Sequence, residues 1–295
     1  MGAGMATQLL TVLADGILLG VIYASAGLGL SLILGIMGVV NVAHSAFMLL
    51  GSYFAFELFR RLHIDPTLAL LMALPVFFAL GNVVYRAIIT RVERAAQTQG
   101  LVAMFGLMVL IENLTIIVWT TDSRVITASY TNSSVALGPI VVAEVKLIAA
   151  GMAVLLIAAS WWFLHSTIMG RAIRALGQDR DAALTLGIDA RRLSATTFGL
   201  GIACAGAAGV MIGMIFPFNP STQVQWLAWS FLVVILGGLG SVAHTLLAGL
   251  VVGLIQTFVA AFLPFDYVYL LLYVLLAVIL IVRREGLSNA MRRAI

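Results

Sequence analysis

Eight stretches of this chain, near 8–34, 41–59, 67–85, 101–120, 143–164, 196–216, 226–262 and 267–282, run almost free of charge. Each has the roughly 20 residues a helix needs to cross a hydrocarbon core of about 30 Å, except 226–262, which is longer. Backbone polar groups in lipid must be satisfied within the segment, so such stretches fold as helices. The sequence therefore predicts an all-α polytopic membrane protein of about eight transmembrane segments, organised as one transmembrane domain over residues 1–295. Charged residues make up 9% of the chain, against about 25% in an average soluble domain. The N-terminus "MGAGMATQLLTVLADG" has no basic region and no small-residue cleavage site, and reads as the start of the first span.

Two blocks are interrupted. The stretch 226–262 is too long for one crossing and is broken by "GGLGS" at 237–241, which predicts a descending helix, a glycine break and a returning helix. A similar break, "GIMGVVN" at 35–41, separates the first two blocks. Irregular backbone at membrane depth is tolerated only where protein or a water-filled cavity meets it, and half-helix ends present partial charge to polar solutes. The breaks thus point to a translocation path. "NVAHSAFMLLG" at 41–51 and "SVAHTLLAGLVVG" at 241–253 share a short Val-Ala-His pattern, a weak sign of internal repetition.

Charge sets an orientation. Placing 86–99, 165–195 and the tail after 282 in the cytoplasm gathers Arg86, Arg91, Arg94, Arg171, Arg174, Arg180, Arg191, Arg192, Arg283, Arg284, Arg292 and Arg293 on that side, leaving Arg60, Arg61, Arg124 and Lys146 outside. By the positive-inside bias the N-terminus is outside and the C-terminus cytoplasmic. The net charge of +4 follows from this bias, so it implies no nucleic acid; the basic tail suits anionic membrane lipid. One island stands out, "GRAIRALGQDRDAALTLGIDARR" at 170–192, where charges crowd together in an otherwise apolar chain.

Several polar residues sit where lipid would reject them: Asn41 and His44 after the first break, Glu112 and Asn113 inside "LMVLIENLTIIVW", His244 and Gln256 after the second break, and Gln223 and Gln225 at an outer mouth. A charge at mid-membrane costs about 2.5–3.5 kcal/mol on insertion scales, so Glu112 must face protein or water. Two readings stand for these groups, an inter-helix hydrogen bond or a lining of the path. Two histidines and a carboxylate on separate segments are too few for a metal site, and no paired carboxylates or Ser/His constellation suggests a hydrolase. Cys204 is a small packing residue without a disulfide partner. Glycines four apart at 16–20, 209–213 and 249–253, and the small-residue run at 201–209, let helix backbones approach closely.

"GVVNVAHSAFMLLGSY" at 38–53, the island "GRAIRALGQDRDAALTLGID" at 170–189 and "VVILGGLGSVAHTLLAGLVVG" at 233–253 together resemble the membrane permease subunits of branched-chain amino acid ABC importers, the Liv type, and within it the shorter H-type permease. The resemblance implies a bacterial inner-membrane location, a second, M-type permease, two cytoplasmic ATPase subunits that bind ATP and Mg, and a periplasmic substrate-binding protein. The chain itself would bind no cofactor and catalyse no reaction. "DAALTLG" at 181–187 resembles the signature by which importer permeases dock on their ATPases, which assigns coupling to Arg171, Arg174, Asp179, Asp181, Ala182, Ala183, Leu186 and Gly187. Ala182, Ala183 and Leu186 would enter a groove of the ATPase, with the arginines at the rim and Gly187 at a left-handed helix end. The path would be lined by Asn41, His44, Ser45, Glu112, Asn113, Gly237, Gly238, Gly240 and His244. Ser45 and His244 stand where relatives usually carry glycine, which leaves urea, amides and aromatic acids open as substrates beside branched-chain amino acids. The alternative from another class is a gradient-driven transporter or channel, with Glu112, His44 and His244 as a proton relay.

Overall fold

The computed structural model describes residues 2–92, 97–264 and 266–282. Arg94, Arg283, Arg284, Arg292 and Arg293, and with them the basic tail, lie outside the described residues. The chain runs through helices α1 (Gly2–Met37), α2 (His44–Leu62) and α3 (Pro66–Val84), the last continuing by a π-helical turn (Tyr85–Ile89) into the short α4 (Thr90–Val92). Then come α5 (Gln97–Trp119), an antiparallel hairpin of β1 (Ser134–Leu137) and β2 (Ile140–Ala143) with Ser134 opposite Ala143, and α6 (Glu144–Ser166). The island forms α7 (Ile168–Gln178) and α8 (Arg180–Thr185); α9 (Ala190–Ile215), α10 (Thr222–Gly237), α11 (Val242–Phe262) and α12 (Asp266–Val282) complete the chain.

Each apolar block becomes a helix, and the seventh divides at its glycines into α10 and α11 as the sequence predicts. Among the described residues six helices are long and apolar enough to cross a membrane: α1, α3 with its continuation, α5, α6, α9 and α11. Helix α2 carries Glu57, Arg60 and Arg61 in its last turns, while α10, with 16 residues, is short. The protein is a multi-pass, all-α membrane protein. The β-hairpin was not legible in the sequence, where 121–142 offers no long alternating run.

Helices α1, α2 and α9 form the buried centre, with α3, α6, α10 and α11 packed round them and α5 against α2 and α4. Lipid gives helices no hydrophobic reason to associate, so close backbone contact must hold them. Small residues supply it. A Cβ added at Gly253 would meet the backbone of Gly20 and Gly16, and one at Gly20 the backbone of Leu250, which locks α1 to α11. Gly209 lies against the backbone of Met48 and Gly51 against that of Gly206, which locks α2 to α9. At one end of the bundle α1 touches α7, and at the other it touches β2; these are the island end and the hairpin end below.

Candidate translocation path and docking helix

The two breaks are one structure. Helix α1 stops where Gly38 adopts φ 66° and returns its N–H to the Leu34 carbonyl at 3.0 Å, a left-handed cap. Helix α10 stops at Gly237, the chain turns through Gly238 and Gly240 at φ 83° and 76°, and Ser241 caps α11 by accepting the His244 N–H. Gly35 and Gly240 approach so closely that a Cβ at Gly35 would enter the backbone of Gly240. Ser31 Oγ completes the joint, accepting the Gly240 N–H at 3.1 Å and lying 3.2 Å from Thr245 Oγ1. Sequence reasoning missed Ser31 and Thr245; the only signal was a hydroxyl on an apolar helix. The joint does not sit midway along the bundle: it lies within one turn of the island end of α1, where an added Cβ at Gly177 of α7 would be 3.3 Å from Ile36 Cα.

The polar residues named from sequence are not gathered in one place. His44 is fully buried and its Nε2–H reaches the Ala26 carbonyl at 2.9 Å, an inter-helix hydrogen bond between α2 and α1. Asn41 and Ser45 are fully buried beside it in sequence, yet both side-chain atoms of Asn41 and the Ser45 hydroxyl have no hydrogen-bond partner within the protein. His244 is exposed, in a groove with Leu236, Gly237 and Leu247. Glu112 is half-buried and Asn113 exposed on α5, a helix that packs on α2 and α4 rather than on the breaks; Asn113 Nδ2 is bonded to the Val109 carbonyl of its own helix. No hydrogen bond of the described residues joins Glu112, His44 and His244. Among the described residues no group of His, Cys, Asp and Glu is placed to hold a metal ion.

The island is built of two capped helices. Thr167 opens α7 by accepting the Gly170 N–H at 2.9 Å, and Asp179 opens α8 by accepting the Ala182 N–H at 2.9 Å. Helix α8 closes on a Schellman pair: Gly187, at φ 77°, gives its N–H to the Leu184 carbonyl, and Ile188 gives its own to Ala183. Arg174 Nε donates to the Leu164 carbonyl at 3.0 Å and pins α7 to the end of α6. One expectation needs correcting. Ala183 is 2% exposed and packed in the protein's own core, because the cap brings Ile188 back under it; the apolar side chains that α8 presents outward are Leu184, 49% exposed, and Leu186, 79% exposed. Asp181 and Ala182 are exposed as well, as are Arg171 and Asp179.

The hairpin end differs in character, because its cations are paired. Arg60 and Arg61 both bond Glu57, which also accepts the Trp119 indole N–H at 2.8 Å; Arg124 lies 3.6 Å from Asp122, and Lys146 lies 3.1 Å from Asp15. Tyr130 donates to Asp65 at 3.0 Å, and burial together with that carboxylate holds its phenol above the ordinary tyrosine range.

A family model described as "Branched-chain amino acid transport system / permease component" matches residues 12–280. The chain is 27% identical over 288 residues to the high-affinity branched-chain amino acid transport system permease protein LivH of Escherichia coli K12, covering 92% of this chain and 93% of that one. It is 26% identical to BraD of Pseudomonas aeruginosa, named as the same kind of permease, over 93% of this chain and 94% of that one. A shorter match, 32% identical over 107 residues, covers 34% of this chain and 30% of the fructose import permease protein FrcC of Rhizobium meliloti. No solved structure matches significantly. Matched along nearly its whole length, with glycine-broken helices joined beside a capped charged island, the chain belongs to the family of branched-chain amino acid transport system permease components.

Proposed function

We propose that this chain is a permease subunit of an ATP-driven importer for branched-chain or related amino acids, working with a second permease, two ATPase subunits and a substrate-binding protein. The observation that carries the reading is α8: six residues fixed by caps at both ends, presenting Leu184 and Leu186 to the outside from a chain of this family. A short helix held rigidly at one end of a bundle is suited to enter a groove in a partner. ATP and Mg would belong to that partner. Arg171 and Arg180 lie on exposed backbone of the same island and suit an acidic rim, where charge steers encounter more than it adds affinity.

The island end is the cytoplasmic one in this reading, with the N-terminus periplasmic. The contrast in charge supports it: the four cations toward the hairpin end are each tied to a carboxylate, so that end offers little net positive charge. Specificity would reside mainly in the binding protein, since a path must hold its solute weakly enough to release it. The test is co-expression of the tagged chain with its cognate ATPases. Retention of the ATPases through detergent purification, and uptake of leucine into proteoliposomes only with ATP and binding protein, are the expected results. A lone chain that moves solute down a gradient would overturn the reading.

A further inference from the structure

Helices α6 and α11 both pack on α1 and scarcely on each other. Between them, in the half of the bundle nearer the island, lies an open groove of about 330 Å³. Its floor is Val21 of α1, one wall is Val154, Ala158 and Trp161 of α6, and the other is Ala243 and Leu246 of α11. Every residue that lines it is apolar, and the Trp161 indole N–H is the one polar side-chain group. A solute with hydrogen bonds to satisfy finds nothing there. A hydrocarbon chain is surrounded on three sides and gains many more dispersion contacts than on a convex helix face. The α6 wall, between Val154 and Trp161, covers roughly 10 Å at 1.5 Å per residue. A hydrocarbon core is about 30 Å thick, so the groove seats part of an acyl chain rather than a crossing helix.

The island end of the groove has the chemistry of a headgroup site. His165 follows Trp161 by one turn on the same face of α6. Its ring stacks on the indole with centroids 4.7 Å apart, and its Nδ1–H donates to the Trp161 carbonyl at 2.9 Å. Trp161 itself is half-exposed, and its indole N–H can donate to the ester carbonyls at the edge of the hydrocarbon, where tryptophan is enriched. One residue after α6 ends, α7 opens with Ile168, 80% exposed, and carries Arg171 and Arg174 and no carboxylate. An apolar side chain left outside, followed by two arginines, marks the level where hydrocarbon gives way to phosphate. Arg174 is held at that level by its bond to the Leu164 carbonyl, three residues past Trp161. We propose that this groove binds one acyl chain of an anionic phospholipid whose phosphate is met by Arg171 and Arg174. Charge complementarity at its end decides for a lipid rather than a helix of another subunit, and for an anionic headgroup rather than a zwitterionic one. Such a lipid braces α6, which leads into the island, against the start of α11, which leaves the joint of the breaks. The proposal needs only the membrane-spanning fold and is independent of the importer reading.

The test uses the protein as purified from membranes, with whatever subunits stay bound. It is incubated with a phosphatidylglycerol that carries a diazirine midway along one acyl chain, illuminated, and digested for mass spectrometry. Adducts on residues 154–161 and 242–246 should exceed those on the exposed α3 side chains Leu68, Leu71 and Met72. The expected excess is at least about tenfold, the ratio given by about 1.4 kcal/mol of preference. Unlabelled phosphatidylglycerol should displace the probe from the groove at lower concentration than phosphatidylcholine does. Arg171→Gln with Arg174→Gln should erase that difference and keep the groove adducts. Ala158→Phe, which fills the groove, should remove them while α3 is labelled as before. Adducts spread evenly over the groove and α3 show ordinary bilayer contact and overturn the site. Equal displacement by the two lipids overturns the anionic headgroup. Groove adducts that appear only after other subunits are stripped away reveal a partner's helix in the groove and overturn the lipid. Because adducts and displacement are read on the unsubstituted chain, a variant that fails to fold leaves the decision intact.

Discussion

At the scale of single residues, neighbours on α8 have opposite jobs. Ala183 is sealed under Ile188 in the chain's own core, whereas Leu186, three residues on, points away from it. Ala183→Arg would force an unpaired charge into a dry site, at a cost of several kcal/mol, so it should lower the chain's own thermal stability and its yield. Leu186→Arg should leave the melting temperature unchanged and abolish co-purification of the ATPases; retained binding would remove Leu186 from the docking surface. Glu112 faces neither break nor histidine, so Glu112→Gln, which preserves size and hydrogen bonding, should transport at the wild-type rate across pH; a changed pH profile would bring the proton relay back. Composition and spacing made Asn41, His44 and Ser45 legible as unusual, because a polar group in an apolar run has no local explanation. They did not reveal that His44 Nε2 finds the Ala26 carbonyl while His44 Nδ1, Asn41 and Ser45 are left without a hydrogen-bond partner, since that depends on which helix arrives from elsewhere in the chain.

Elements were more legible than their partners. Apolar run length predicts a helix because lipid forbids the alternatives, and glycine clusters mark where α1, α10 and α8 end because only glycine takes positive φ without strain. What no run length reveals is that Gly35 meets Gly240, or that the joint lies beside α7 rather than midway along the bundle. Those facts follow from packing. The α2–α9 contact gives a clean test: at Gly209 a Cβ would overlap the Met48 carbonyl, so Gly209→Val should drive the helices apart. Overpacking of this kind costs about 1–3 kcal/mol or more, to be read as a lower melting temperature in detergent. Gly106, with no atom within 4 Å of an added Cβ, is the matched control, and Gly106→Ala should melt with the wild type.

For the whole molecule, orientation is the property on which every functional statement depends. In a Cys204→Ala background, Thr185→Cys should be labelled by an impermeant maleimide only from the cytoplasmic side, and Ser133→Cys only from the outer side; the reverse pattern would invert the assignment of docking and entry ends. The α1–α11 lock has a further consequence, in the time domain. More than two hundred residues separate Gly20 from Gly253, and synthesis proceeds at about 5–20 residues per second. The first helix to leave the ribosome therefore waits on the order of ten to fifty seconds for the partner that fits its glycine groove. During that interval the groove has only lipid, or another newly made chain, to rest against. A chain stopped before α11 should accordingly be cleared rapidly by membrane proteases, and a separately expressed α10–α12 fragment should rescue it; persistence of the truncated chain without the fragment would show that α1 needs no late partner.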